Sequence, residues 1–153
     1  MNEFNVTPNP AKTIDSLRYL TYSNETALAD IVDNSLDANA DNVAVIIEND
    51  SITIIDDGYG MDEITLCEAI KLGSNTYKDG SKLGRFGMGL VTASISMAKK
   101  ITVASKQEDG DVNCVCLDLE KIERTNEWVA DKIELSPSEA SQWESRGCGT
   151  IEA

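Results

Sequence analysis

The run Ile52-Thr53-Ile54-Ile55-Asp56-Asp57-Gly58-Tyr59-Gly60-Met61 sets an apolar, β-branched stretch directly against a turn built from two aspartates and two glycines. Residues of this type favour a strand, which delivers Asp56 to its end. The x-G-x-G spacing of Gly58 and Gly60 lets the backbone turn tightly against a flat ligand. A carboxylate at that point can accept a hydrogen bond from an exocyclic amine. Taken alone, the same residues also read as a D-G turn with no ligand.

Working upstream, Val43–Ile47 is a second β-rich run, joined to the first by Glu48-Asn49-Asp50-Ser51 in a hairpin pattern. Before it, a helix is expected over about Asn24–Ala38. At about 100° per residue, Leu28, Ile31, Val32, Ser35 and Leu36 gather on one face, with Asp30, Asp33, Asn34 and Asp37 opposite. Asp30 and Asn34 stand one turn apart. A carboxylate that orients water, beside a carboxamide oxygen able to ligate Mg²⁺, is a sensible hydrolytic pairing. The solvated face of an ordinary amphipathic helix would carry the same acids. Residues 1–10, with Pro8 and Pro10, read as an irregular arm ahead of a helix over about Lys12–Leu20.

Working downstream, Asp62 is placed to cap a short helix reaching Leu72, which Gly73 would end. Residues 74–89 are loop-like. Within them Gly84-Arg85-Phe86-Gly87-Met88-Gly89 runs straight into a helix over Leu90–Lys99. Small residues there bring backbone N–H groups close to a ligand, and the helix N-terminus adds partial positive charge, an arrangement suited to phosphate. The spacing G-x-x-G-x-G is not the dinucleotide fingerprint, and no G-K-[ST] follows to make a P-loop. Strands are expected at Ile101–Ser105, Val112–Leu119 and Lys132–Leu135, then a short helix over Pro137–Ser145 and a strand beginning near the end of the chain. This order suggests an α/β two-layer sandwich, a mixed and largely antiparallel sheet with helices on one face. The 153 residues suffice for one domain, and the open final strand suggests the N-terminal fragment of a longer protein.

Composition narrows the chemistry. There is no His, which excludes Ser-His-Asp and Cys-His nucleophiles and His-ligated zinc. Four Cys at irregular spacing make neither a disulfide framework nor a zinc knuckle. The net charge of −14 argues against gripping nucleic acid by overall charge, so any nucleic acid would be met by regions outside this acidic domain. Charge is uneven, however. Lys71–Lys106 holds seven basic residues and one acid, a net +6 that leaves the remainder at −20, and five of the ten glycines fall there. A basic, Gly-rich segment in an acidic protein suits a small polyanion such as a nucleoside triphosphate. No apolar run approaches the roughly 20 residues that span a bilayer, and the N-terminus lacks signal-peptide character. The expectation is a cytoplasmic protein with no membrane contact.

The order and spacing of D-N-S-x-D-A, D-D-G-x-G-M and G-x-x-G-x-G before a helix resemble the GHKL ATPases, which include gyrase B, the heat-shock chaperone, histidine kinases and MutL, with MORC proteins close by. The resemblance covers about Ala11–Ile151. It implies the Bergerat ATP-binding fold, ATP and Mg²⁺ as ligands, and ATP-dependent homodimerisation in the full-length protein. It also implies roles: Asn34 as the Mg²⁺ ligand, Asp56 as acceptor from the adenine amino group, Gly58, Gly60 and Met61 around adenine, and Thr150 beside it. Gly84, Arg85, Phe86, Gly87, Met88 and Gly89 would hold the phosphates, with Lys82 in a lid over about Ser74–Arg85. Asp30 stands where the family usually places a Glu general base, one methylene longer. Asp33 is a fallback base. The segment Asp33–Ala38 is nearest to MutL- and MORC-type proteins, which implies a DNA-repair, restriction or MORC-like machine. A nucleotide-dependent switch with little turnover, or a chaperone-like or kinase-like ATP-binding domain, is the alternative.

Overall fold

The computed structural model describes residues 4, 6–19, 23–73, 89–144 and 149–152. Helix α1 spans Pro10–Tyr19 and α2 spans Asn24–Asp37. Strands β1 (Val43–Ile47) and β2 (Ile52–Asp56) form the expected hairpin, with Val45 opposite Ile54. Helices α3 (Glu63–Ala69) and α4 (Gly89–Met97) follow, then strands β3 (Lys100–Lys106) and β4 (Asn113–Asp118). Helix α5 (Leu119–Thr125), strand β5 (Asp131–Lys132), helix α6 (Pro137–Glu144) and strand β6 (Gly149–Glu152) complete the order.

The six strands form one sheet in the order β1-β2-β6-β3-β4-β5, and every pairing among the described strands is antiparallel. The expected α/β sandwich is therefore present, with the last strand inserted between two hairpins. Cross-strand partners share a face, so Ile101, Val103, Val115 and Leu117 point together. They meet Ile14 of α1, Leu66 of α3, Val91 and Ile95 of α4, and Leu119 and Ile122 of α5 in the main core. Burying each of these aliphatic side chains is worth about 1.5–3 kcal/mol. A second cluster joins Ala27 and Ile31 of α2 to Ile54 and Ala93. Trp143 of α6 packs on Ala104 and Cys114, which alternate to the opposite face of the sheet.

Local signals explain the helix ends. Asn9 accepts the Lys12 N–H at 3.0 Å, so Asn9 caps α1 and Pro10 is its first residue. The arm is thus shorter than expected, because Pro is well suited to the first helical position. Helix α2 starts at Ser23, whose hydroxyl accepts from Thr26. It ends in a left-handed residue, Asn39 at φ 55°, with the Ala40 N–H bonding to the Ser35 carbonyl and Asn39 N–H to Leu36. That is a Schellman closure made with Asn instead of Gly. Helix α5 was not anticipated by the strand pattern. Asp118 caps it by accepting from Lys121 N, and Leu119 and Ile122 bury the inner side. No helix among the described residues is long and apolar enough to cross a membrane.

Candidate functional site

The left-handed turn after α2 points the Ala38 carbonyl at the turn after β2, where it accepts the Tyr59 N–H at 3.0 Å. This contact brings the two acidic motifs together. It also explains Gly58: a Cβ there would sit 2.8 Å from both the Cβ and the carbonyl oxygen of Ala38. No larger residue fits without moving the helix end or the turn. Gly60 adopts φ 67°, the left-handed region that favours glycine.

Asp56 and Asp57 are adjacent but divide the work. Asp56 is 6% exposed on the helix-covered side of the sheet. Its Oδ2 accepts from the Ser35 hydroxyl at 3.0 Å and its Oδ1 from the Gly58 N–H at 2.9 Å. Asp57 points outward and ties down the entry to β1. It accepts from the backbone N–H groups of Asp41 (2.9 Å) and Asn42 (2.8 Å) and from the Asn42 side-chain amide (2.8 Å). The Asn42 side-chain amide, then its backbone N–H, holds the Asp57 carboxyl below its ordinary value. Asp56 is thus the carboxylate turned toward the interior, and Asp57 is a clamp.

Asn34 lies on α2 beside Ser35, half-buried, and its Nδ2 is buried with no hydrogen-bond partner among the described residues. Leaving a buried amide donor unpaired costs about 1–3 kcal/mol, which a bound ligand would recover. Asp30 stands one turn earlier on the same helix, also half-buried, and Asp33 is half-buried beside it. A single carboxamide oxygen suits Mg²⁺, which keeps several waters and takes its remaining ligands from phosphates. Among the described residues no three His, Cys, Asp or Glu side chains converge to hold a metal by themselves. The Asn34 carboxamide oxygen is a ligand atom of the type that a magnesium ion takes beside phosphate oxygens.

Helix α4 begins at Gly89, and an added Cβ there would meet nothing within 4 Å among the described residues. A helix N-terminus carries partial positive charge and free backbone N–H groups, which suit an anion. The other end of α4 is capped by Arg18 of α1, whose Nη1 donates to the carbonyls of Ile95 (2.9 Å) and Ala98 (2.8 Å). Met61 packs against the main core, and its N–H donates to the Ser105 hydroxyl at 2.8 Å. Thr150 lies opposite Ser105 in the register of β6 with β3.

The described residues thus gather Asp56, Gly58, Gly60, Met61 and the Thr150 position at one end of the central strands, with Asp30 and Asn34 on the adjoining helix. Lys82, Gly84, Arg85, Phe86, Gly87 and Met88, and the segment expected as a lid, lie outside the described residues. Two buried hydroxyls at the site, Ser35 and Ser105, were not singled out as ligand-site residues from sequence. Their signal is a polar residue inside an otherwise apolar stripe, Ser35 on the face led by Ile31 and Ser105 at the end of Ile101-Thr102-Val103-Ala104.

Residues 22–150 match the profile of the histidine kinase-, DNA gyrase B- and HSP90-like ATPase family. Among curated proteins, the chain is 27% identical over 129 residues to ATPase MORC2 of Homo sapiens, covering 78% of this chain and 12% of that one. It is 34% identical over 91 residues to the DNA mismatch repair protein MutL of Buchnera aphidicola, covering 54% of this chain and 16% of that one. Protein MICRORCHIDIA 2 of Arabidopsis thaliana is 29% identical over 94 residues, covering 55% and 15%. The chain spans well under a fifth of the length of these relatives.

Proposed function

The chain belongs to the histidine kinase-, DNA gyrase B- and HSP90-like ATPase family, and from that premise we propose that residues 1–153 form a single domain that binds Mg·ATP and hydrolyses it slowly. The observation that carries this reading is the buried Asp56 carboxylate, held by Ser35 and Gly58 at the site where α2 meets the central sheet. A carboxylate fixed in that way accepts from the amino group of adenine and has no donor to offer the carbonyl of guanine. Gly60, Met61 and Thr150 would surround the base.

Asn34 would hold the magnesium ion, which when bound offsets the charge of the phosphates. Gly84, Gly87, Met88 and Gly89 would offer backbone N–H groups to the phosphates, with Lys82, Arg85 and Phe86 as further contacts. Asp30 acts as general base. It takes a proton from water as the water oxygen bonds to the γ-phosphorus and the bond from that phosphorus to the leaving ADP oxygen breaks. The proton then passes from Asp30 to solvent. Because Asp is one methylene shorter than Glu, its reach to water is reduced, and turnover is slow.

By likeness to the MORC and MutL proteins, the domain would serve an ATP-dependent homodimer in a DNA-repair, restriction or MORC-like machine of the cytoplasm. Nucleic acid would be met outside this acidic domain. The shorter base also favours a second reading, a nucleotide-dependent switch with little turnover. Steady-state ATP hydrolysis by wild type and Asp30→Asn separates the two. The enzyme reading expects the variant to bind ATP normally and to hydrolyse it about 10²–10⁴-fold more slowly. Equal rates would leave the switch.

A further inference from the structure

Asp56, the Thr150 position and Ser105 form one row across three neighbouring strands. Ile55 pairs with Ile151 and Ser105 with Thr150, so the register of β2 with β6, continued by one residue, sets Asp56 opposite Thr150. The row ends at Ser105, to which the ATP reading above gives no contact with the nucleotide. Ser105 is fully buried, and a buried hydroxyl is costly unless its hydrogen bonds are made. Its Oγ accepts the Met61 N–H at 2.8 Å, across 44 positions of sequence. To make that bond, the turn leaving β2 passes over β6 and reaches β3, with Gly60 at φ 67° supplying the change of direction. This hydrogen bond ties the backbone at Met61 to the sheet.

Resting on the ATP reading above, we infer that Ser105 is a positioning residue for the nucleobase: by holding the Met61 backbone against β3 it fixes the wall opposite Asp56, and so sets how strictly the pocket prefers adenine. Asp56 supplies the acceptor, and Ser105 fixes the distance at which a base must meet it. Without the Ser105 oxygen, the part-buried Met61 N–H loses its partner and the Gly60–Met61 turn is free to shift. A looser wall lets a base slide past the mismatch with Asp56. Adenine then loses affinity, and guanine loses less.

The test measures ATP and GTP affinities and amide exchange at Met61 for wild type, Ser105→Ala and Ser105→Cys. The Cys variant keeps a side chain of similar size with a poor acceptor, should the Ala variant fail to fold. In both variants we expect faster exchange at Met61, weaker ATP binding, and a GTP-to-ATP Kd ratio lowered by roughly 5-fold or more. A purely structural role would weaken both nucleotides alike and leave the ratio unchanged. An unchanged ratio, with wild type binding ATP, would overturn the assignment of Ser105 alone. Wild type that binds neither nucleotide would overturn the ATP reading itself and this inference with it.

Discussion

The Ser35 hydroxyl on α2 donates to Oδ2 of Asp56 at the end of β2, 3.0 Å away and buried from solvent. With the Gly58 N–H on Oδ1, both carboxylate oxygens are held by fixed donors, and a carboxylate oxygen accepts more than one hydrogen bond. Asp56→Asn can retain both contacts by turning its amide toward Ser35, whose hydroxyl then accepts. We therefore expect a folded variant with an N–H where an acceptor is needed. ATP affinity should fall roughly 5- to 150-fold, equivalent to about 1–3 kcal/mol, by calorimetry. Ser35→Ala removes a donor from a buried carboxylate and should cost about 1.5–3 kcal/mol of stability in urea unfolding.

Gly58→Ala tests the seam between the two acidic motifs. The new methyl would lie 2.8 Å from Ala38 on both its Cβ and its carbonyl oxygen, and neither is the end of a flexible side chain. The loss should be about 1–3 kcal/mol, read as a lower urea midpoint with an unchanged slope. An unchanged midpoint would mean that the turn shifts freely.

Arg18 binds α1 to the C-terminal end of α4. Arg18→Met keeps most of the side-chain stem and removes the charge from the α4 carbonyls. A cation at a partly buried helix end is worth up to about 2 kcal/mol. The melting temperature should drop by roughly 2–8 °C for a domain of this size.

The Asp57 clamp makes stability depend on acid pH. Asn42 lowers its carboxyl in the folded state below the ordinary value of 3.8. The contribution is therefore present above 3.8 and lost as pH falls through the lower, folded value. Wild type should be more stable than Asp57→Asn at neutral pH, and the two should converge on acidification. Asp62 and Glu139, whose carboxyls are also lowered by capping hydrogen bonds, add the same trend to both proteins. Urea midpoints measured across the acid range would show it. A difference that stays constant with pH would remove Asp57 from this role.

The strongest local signals were legible in the sequence. The strand-turn pattern at Ile52–Met61 and the cap Asp62 act over a few residues, and each gives the element it implies. The buried side of α2 was read less well. Its seam is Ala27, Ile31 and Ser35, whereas Leu36 is 56% exposed. Hydropathy ranks Leu above Ala and Ser, but the close crossing of α2 over α4 favours small side chains. The insertion of β6 between β2 and β3 depends on pairing between residues far apart in sequence, which no short-range pattern records. Ser105 was missed for the same reason, because its partner is 44 residues away.

The central claim is that the pocket around Asp56 binds Mg·ATP through adenine, and calorimetric titration of the wild-type protein with Mg·ATP and Mg·GTP tests it most directly. The account expects ATP to saturate one site per chain and GTP to bind at least about 5-fold more weakly, the smaller end of the cost of a buried mismatch. No detectable ATP binding, or equal affinity for the two nucleotides, would contradict it.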